Sequence, residues 1–219
     1  MAGLAHDVLI QALRDDPALL AALLEKLIGH DLPGPLKNVD SAVRFTRSAE
    51  VRPDIVYRAG RSWLICEVQN KRDPTKARSW LIAMATLRFS HERMGDLIVI
   101  TSSPSVARWA VTAAHERGSA GSTSHLTPVV LLLDGRRARL LLDPRRPELA
   151  LCASWAMQKR HGREALHILA RAVRLSERLP PSLRDAQRRA ILDVLSDRLR
   201  SRLREVTMRP ERFPETPET

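Results

Sequence analysis

The stretch that decides the fold is RPDIVYRAGRSWLICEVQNK, residues 52–71. Two runs rich in β-branched and aromatic residues flank a turn at residues 59–62, so the stretch predicts a β-hairpin. Asp54 lies early in the first strand and Glu67 late in the second, and antiparallel pairing brings their carboxylates to the same end of the hairpin. Two adjacent carboxylates repel each other, and a divalent cation with oxygen ligands relieves that repulsion. The stretch therefore predicts a metal site.

Side-chain alternation along the second strand places Glu67, Gln69 and Lys71 on one face. An amide accepts no proton at physiological pH, so Gln69 can only orient an attacking water, whereas Lys71 can stabilise charge on a phosphorus centre. A purely structural interpretation stays open, in which each acid caps a turn or pairs with a neighbouring arginine and Lys71 is a solvated strand end.

These residues resemble the PD-(D/E)XK phosphodiesterase superfamily, whose signature is an Asp followed by (Asp/Glu)-X-Lys. Asp54 belongs to a Pro-Asp pair, and Glu67-Val68-Gln69 follows after the hairpin. A Glu-X-Gln motif followed shortly by Lys is similar to the recombination-promoting nuclease group, the transposase-like branch. The His6-Asp7 pair and the Leu-rich segment 19–27 are also similar to that branch. The resemblance covers roughly residues 4–145.

The resemblance implies a Mg²⁺- or Mn²⁺-dependent deoxyribonuclease, an endonuclease in which the metal is held by Asp54, Glu67 and the backbone carbonyl of Val68. It assigns catalysis to Asp54, Glu67, Gln69 and Lys71. Gln69 stands where most of the superfamily has Lys, and Lys76 is the reserve candidate for that lysine. Because of Gln69, a catalytically inactive nucleic-acid-binding module on the same fold stays open as an alternative.

Glu25, on the first helical segment, is a further candidate acidic ligand, with a surface charge beside Lys26 as the structural alternative.

Hydrophobic periodicity predicts an α/β fold around the hairpin. The predicted segments are helix over 4–28 in one kinked piece or two, a strand at 42–47, hairpin strands at 53–58 and 62–70, a helix from Pro74 to about Arg93, a buried strand at 96–101, a helix from Ser103 to about Arg117, a loop at 118–124 and a last hairpin, 129–133 with 138–142, about Asp134-Gly135. The αβββαβ order of the first six is that of the restriction-endonuclease-like core with its mixed sheet.

The composition changes after residue 147, where strand patterns stop. We expect a nuclease-like domain at 1–147, a basic helical C-terminal extension at 148–207 with helices at about 149–179 and 183–206, and a disordered tail at 208–219. The last helix carries an amphipathic stripe at Leu192, Leu195, Leu199, Leu203 and Val206. That stripe leaves open a third function class, a helix-mediated interaction or oligomerisation protein such as a homodimer.

The net charge of +11 and the pI of about 11.0 favour a polyanionic partner, nucleic acid and in particular DNA. Cys66 and Cys152 show no paired spacing, which predicts reduced, buried thiols in a cytoplasmic protein. The apolar run at 18–24 predicts neither a signal peptide nor a membrane span, and the histidines lack zinc spacing. No motif for an organic cofactor is found.

Overall fold

Residues 52–71 form two central strands of a mixed sheet. The computed structural model describes residues 4–32, 34–39, 43–46, 49–119 and 121–208. Its elements in chain order are α1 (Leu4–Asp15), α2 (Pro17–Ile28), β1 (Leu36–Val39), β2 (Val43–Thr46), β3 (Ala49–Val51), β4 (Ile55–Ala59), β5 (Ser62–Val68), α3 (Pro74–His91), β6 (Asp96–Thr101), α4 (Pro104–Ala113), β7 (Ala114–Arg117), β8 (Thr123–Leu126), β9 (Val129–Leu132), α5 (Gly135–Leu140), a 3₁₀ helix (Pro147–Leu149), α6 (Ala150–Ala156), α7 (Arg163–Ser176), α8 (Pro181–Asp193) and α9 (Asp197–Met208).

The sheet has five strands in the order β1-β4-β5-β6-β9. β1, β4 and β5 are antiparallel to one another, whereas β6 and β9 run parallel to β5. The predicted α/β class, the central hairpin and the buried strand at 96–101 are confirmed. β5 and β6 are buried on both faces, as strands in the middle of a helix-covered sheet must be.

The third antiparallel strand is not the one that the periodicity predicts. β2 pairs with β3 in a separate two-stranded ladder, and residues 42 and 47 lie outside the described residues. The third antiparallel strand of the sheet is instead β1, a short edge strand in which Lys37 and Asn38 are exposed. An edge strand with a polar middle has almost no apolar alternation, so the sequence does not reveal it.

The expected hairpin about Asp134-Gly135 is wrong. Asp134 Oδ1 accepts a hydrogen bond from the Arg137 amide, so it caps the N-terminus of α5 and does not turn the chain back. β9 joins the sheet parallel to β6. Asp is as suited to a helix N-cap as to a hairpin turn, and the tertiary structure decides between the two.

A second difference concerns residues 114–126, expected as a helix end and a loop. α4 ends at Ala113, and β7 and β8 form an antiparallel ribbon with Ala114 opposite Leu126. Ala114 is buried and Leu126 packs against the core cluster on the α3 face of the sheet. Burial of these two side chains favours the ribbon over a solvated helix end.

The chain divides into two compact units. One comprises Ile10–Leu133 and contains the whole sheet. The other comprises Met1–Leu9 with Asp134–Thr219, of which residues 4–9 and 134–208 are described. The division falls at Asp134, before the boundary expected after residue 147, because α5 packs on α6 and α7. The Trp155 indole also donates to the Ala5 carbonyl at 2.9 Å, which ties the first helical turn to this second unit.

The helices of the second unit are shorter than the sequence predicts. The expected helix at 149–179 is interrupted at Gly162, whose φ of 106° is accessible mainly to glycine. The expected helix at 183–206 is divided into α8 and α9. Leu195, Leu199 and Leu203 of the amphipathic stripe are buried within this unit.

Candidate metal centre

Asp54 and Glu67 meet at one end of the central hairpin. Ile55 pairs with Cys66 in the β4–β5 register, which places the two acids beside each other at the end of the ladder. Asp54 lies immediately before β4, and its Oδ2 accepts a hydrogen bond from the Val68 amide at 2.8 Å. This bond holds the Asp54 carboxylate against the end of β5.

Glu67 is an acid within an otherwise apolar strand. Its side chain is only 2% exposed, and it lies on the same face of β5 as Trp63 and Ile65, the face covered by α3. A carboxylate in such a position requires partners, because an unpaired charge in the interior is strongly unfavourable. Two groups supply them.

The first partner is Lys76. α3 begins with Pro74 after Asp73, whose carboxylate accepts from the Thr75 amide and caps the helix. This start places Lys76 in the first turn, directly over the end of β5. Its Nζ lies 2.7 Å from Glu67 Oε2 and 3.5 Å from Asp54 Oδ1, so one ammonium pairs with both acids.

The second partner is Gln69. Its Nε2 donates to Glu67 Oε2 at 3.1 Å, its backbone amide donates to the Ile100 carbonyl at 2.8 Å, and the side chain is only 6% exposed. Gln69 therefore orients Glu67 in this structure. The role predicted from the sequence, in which Gln69 orients an attacking water, is a different one.

The structure does not bring Lys71 to the acids. β5 ends at Val68, so the alternation that would align Lys71 with Glu67 no longer holds at residue 71, and the Lys71 side chain is exposed. Lys76, the reserve candidate, lies at the carboxylates instead.

Val68 contributes its main chain to the centre. Its side chain is buried on the opposite face of the sheet from Glu67, and its amide is the donor to Asp54. The backbone of Val68 therefore adjoins the two carboxylates, as its implied role as a carbonyl ligand requires.

Glu25 is exposed in the last turn of α2. It is not among the groups that shift the pKa of Glu67, whereas Asp54, Lys76 and Gln69 are. The centre is thus built from residues at one end of the β4–β5 hairpin and from the first turn of α3.

Burial and, after it, the negative charge of Asp54 raise the pKa of Glu67 to about 7, against the opposing effects of Lys76 and Gln69. Burial lowers the pKa of Lys76, but the Glu67 and Asp54 carboxylates outweigh burial and hold it above its usual range. The lysine is therefore cationic at neutral pH, while Glu67 titrates near neutrality. The site contains a surplus of negative charge that a further cation would relieve.

Arg14 is a neighbour of the centre that the sequence interpretation missed. Its guanidinium donates to the Asp54 carbonyl at 2.7 Å, and the side chain is exposed. The Tyr57 hydroxyl donates to the Leu13 carbonyl at 2.7 Å, which fixes the end of α1 against β4. No periodic signal marks these contacts, because they join residues about forty positions apart.

The donor set fits a hard divalent cation better than zinc. It offers two carboxylates and an adjacent main-chain carbonyl, the oxygen ligands that Mg²⁺ and Mn²⁺ take. Within the described residues there is no group of three or more His, Cys, Asp or Glu side chains that could hold a metal. The Lys76 ammonium already occupies a cation position between the two acids.

Comparison with models of protein families, with curated proteins and with solved structures found no match. In the part of the chain that the structure describes, none of the helices combines the length and the apolar character needed to span a membrane.

Proposed function

We propose that this chain is a metal-dependent phosphodiesterase, a DNA endonuclease of the PD-(D/E)XK type. The observation that carries the proposal is the convergence of Asp54 and Glu67, from neighbouring strands, on the single ammonium of Lys76. Two acids and a lysine are the chemical content of the motif that the sequence resembles. The lysine comes from α3, which compensates for Gln69.

The order of elements supports the same proposal. Helices α1 and α2 precede three antiparallel strands, β1, β4 and β5, and α3 then leads to the parallel strand β6. This order is compatible with the αβββαβ order of the restriction-endonuclease-like core if β1 takes the place predicted for 42–47 and the β2–β3 ladder is an insertion.

Asp54, Glu67 and the Val68 carbonyl would hold Mg²⁺ or Mn²⁺. Such an ion, when bound, polarises a phosphate oxygen and lowers the pKa of water so that hydroxide is available near neutral pH. Glu67 must lose its proton to serve as a ligand, and its pKa near 7 makes that step sensitive to pH in the physiological range.

Lys76 is suited to charge stabilisation and not to general-base catalysis, because its raised pKa keeps it protonated. Its ammonium can turn from Glu67 toward an oxygen of the scissile phosphate, where negative charge accumulates during attack. Gln69 keeps the Glu67 carboxylate oriented while Lys76 moves. Arg14 positions the Asp54 backbone and presents further donors to solvent.

The charge of the surroundings suits a DNA backbone. Lys71 and Arg72 are exposed in the segment that joins β5 to α3, the two elements that carry Glu67 and Lys76, and the exposed Arg14 donates to the Asp54 carbonyl. Phosphate contacts of this kind position a substrate without reading its sequence. A cytoplasmic location remains part of this proposal.

A second candidate, a non-catalytic nucleic-acid-binding module, is favoured by the same ion pair. Lys76 already forms ion pairs with both carboxylates, so the three side chains can serve as a structural network. The third class, a helix-mediated interaction protein or homodimer, loses its main support, because Leu195, Leu199 and Leu203 of the proposed docking stripe are buried within their own unit.

The deciding experiment is cleavage of supercoiled plasmid with Mg²⁺ or Mn²⁺ by the wild type, Asp54→Asn and Glu67→Gln. Asp96→Asn is the matched control, since Asp96 is an exposed acid at the opposite end of the sheet. We expect cleavage that requires metal, is lost in both site variants and persists in the control. A folded wild type that shifts DNA in a gel but never cleaves it would establish the binding-module alternative.

A further inference from the structure

The ribbon formed by β7 and β8 brings two histidines face to face. His115 and His125 are direct cross-strand partners, and both are exposed. Their ring centroids lie 5.4 Å apart and the ring planes are inclined at 72°. The ten-residue separation in sequence matches no zinc motif, so only the strand pairing reveals the pair.

This separation is close to that of two imidazoles bound to one metal ion. With Zn–N bonds of about 2.0–2.1 Å and tetrahedral angles, the two ring centroids lie roughly 5 Å apart. The His115 Nε2 also lies 3.4 Å from the Thr127 hydroxyl. The tautomer in which Nε2 donates to that hydroxyl leaves the lone pair on Nδ1 for a metal, an arrangement typical of ligating histidines.

We propose that the ribbon binds a borderline divalent transition metal, Zn²⁺ in the first instance, through His115 and His125. Water completes the coordination, since the described residues offer no third His, Cys, Asp or Glu ligand at this place. The site is chemically distinct from the carboxylate centre, because imidazole nitrogens favour Zn²⁺, Cu²⁺ and Ni²⁺ whereas carboxylates favour Mg²⁺ and Mn²⁺. It goes beyond the proposed nuclease function and does not depend on it.

Charged neighbours adjust the affinity of such a site. Alternation along β7 places Arg117 on the same face as His115, while Glu116 lies on the other face and pairs with Arg78 at 3.7 Å. The positive charge of Arg117 opposes a bound cation. Arg117→Gln is therefore expected to tighten Zn²⁺ binding by about two- to threefold.

The test is a Zn²⁺ titration of the full-length protein without an affinity tag, followed by histidine-ring NMR and calorimetry. We expect one Zn²⁺ per chain at this site and concerted shifts of the His115 and His125 ring signals. His115→Gln and His125→Gln should each weaken binding by more than about tenfold. His167→Gln, at an exposed histidine of α7, should bind Zn²⁺ as the wild type does.

Ring signals of His115 and His125 that fail to shift together at equimolar Zn²⁺ in the wild type would overturn the proposal, whatever the variants do. Unchanged affinity in either histidine variant would do the same. Because the readout is Zn²⁺ binding and not cleavage, failure here is independent of failure of the nuclease proposal.

Discussion

Lys76 Nζ lies 2.7 Å from Glu67 Oε2, although the two residues belong to different elements and are nine positions apart in sequence. The contact exists because Asp73 and Pro74 begin α3 immediately after the motif and turn the first helical turn over the end of β5. As a consequence, one ammonium already forms ion pairs with both acids that the proposed metal would need as ligands.

Replacement of this lysine separates the catalytic from the structural interpretation. In Lys76→Met we expect cleavage to fall by about a hundredfold or more, because charge stabilisation at the phosphate is lost. Mn²⁺ affinity, measured by calorimetry, should be unchanged or higher, since a competing cation has been removed. Lys71→Met is the matched control and should retain its cleavage rate at saturating DNA. Full cleavage by Lys76→Met would exclude a catalytic role for this lysine.

The position of the lysine can be exchanged within the site. Gln69 and Lys76 both donate to Glu67 Oε2, so the double variant Gln69→Lys with Lys76→Gln retains one ammonium and one amide at the same carboxylate. We expect the double variant to cleave at least about tenfold faster than Lys76→Gln alone. Plasmid-cleavage rates of the two variants, compared at equal folded fraction, provide the measurement. No recovery would mean that the ammonium acts only from the α3 side.

Glu67 should make stability depend on pH. Its folded pKa of about 7 lies above the ordinary value of 4.5, so between these values the native protein binds more protons than the unfolded chain. The stability that this group contributes is present below pH 4.5 and is lost as pH rises toward 7. Urea unfolding of metal-free protein should show this decrease, and Glu67→Gln should reduce it, whereas Asp96→Asn should retain it.

The same titration should govern metal binding. Mg²⁺ or Mn²⁺ must displace the Glu67 proton, so the apparent affinity should rise with pH up to about 7 and level off above it. Calorimetric titration with Mn²⁺ at several pH values checks this. An affinity that is independent of pH between 5.5 and 8 would mean that the metal binds without Glu67, at another site.

DNA affinity should depend on the exposed cations in the segment between β5 and α3. Lys71→Ala and Arg72→Ala remove two candidate phosphate contacts, and each should reduce the slope of log affinity against log salt by about one. Gel-shift titrations at several salt concentrations measure this slope. Arg61→Ala, at an exposed arginine in the β4–β5 turn at the opposite end of the hairpin from the two acids, is the control and should leave the slope unchanged. An unchanged slope in both variants would mean that DNA binds a different surface of the protein.

Gly95 is a test of the packing that supports the centre. A Cβ at this position would lie 2.3 Å from both the ring and the carbonyl of Trp63, a buried residue on the same face of β5 as Glu67. Gly95→Ala should therefore lower the free energy of unfolding by roughly 2–4 kcal/mol, measured by urea denaturation. Gly34→Ala is the control, because its φ is also outside the left-handed region and the added atom would meet only the Gly60 amide nitrogen, at 3.8 Å. Equal losses in both would show that the Trp63 contact is not the cause.

Local sequence specifies the central hairpin, the buried strand β6, the starts of α3 and α4 and the adjacency of Asp54 and Glu67. Each depends on local periodicity, on turn chemistry or on the fixed geometry of an antiparallel pair, which neighbouring residues specify. The tertiary structure decided which lysine reaches the acids, which short strand completes the sheet, whether Asp134 begins a turn or a helix, and that His115 faces His125. These outcomes depend on how separate elements pack against one another, and a local pattern contains no information about that packing.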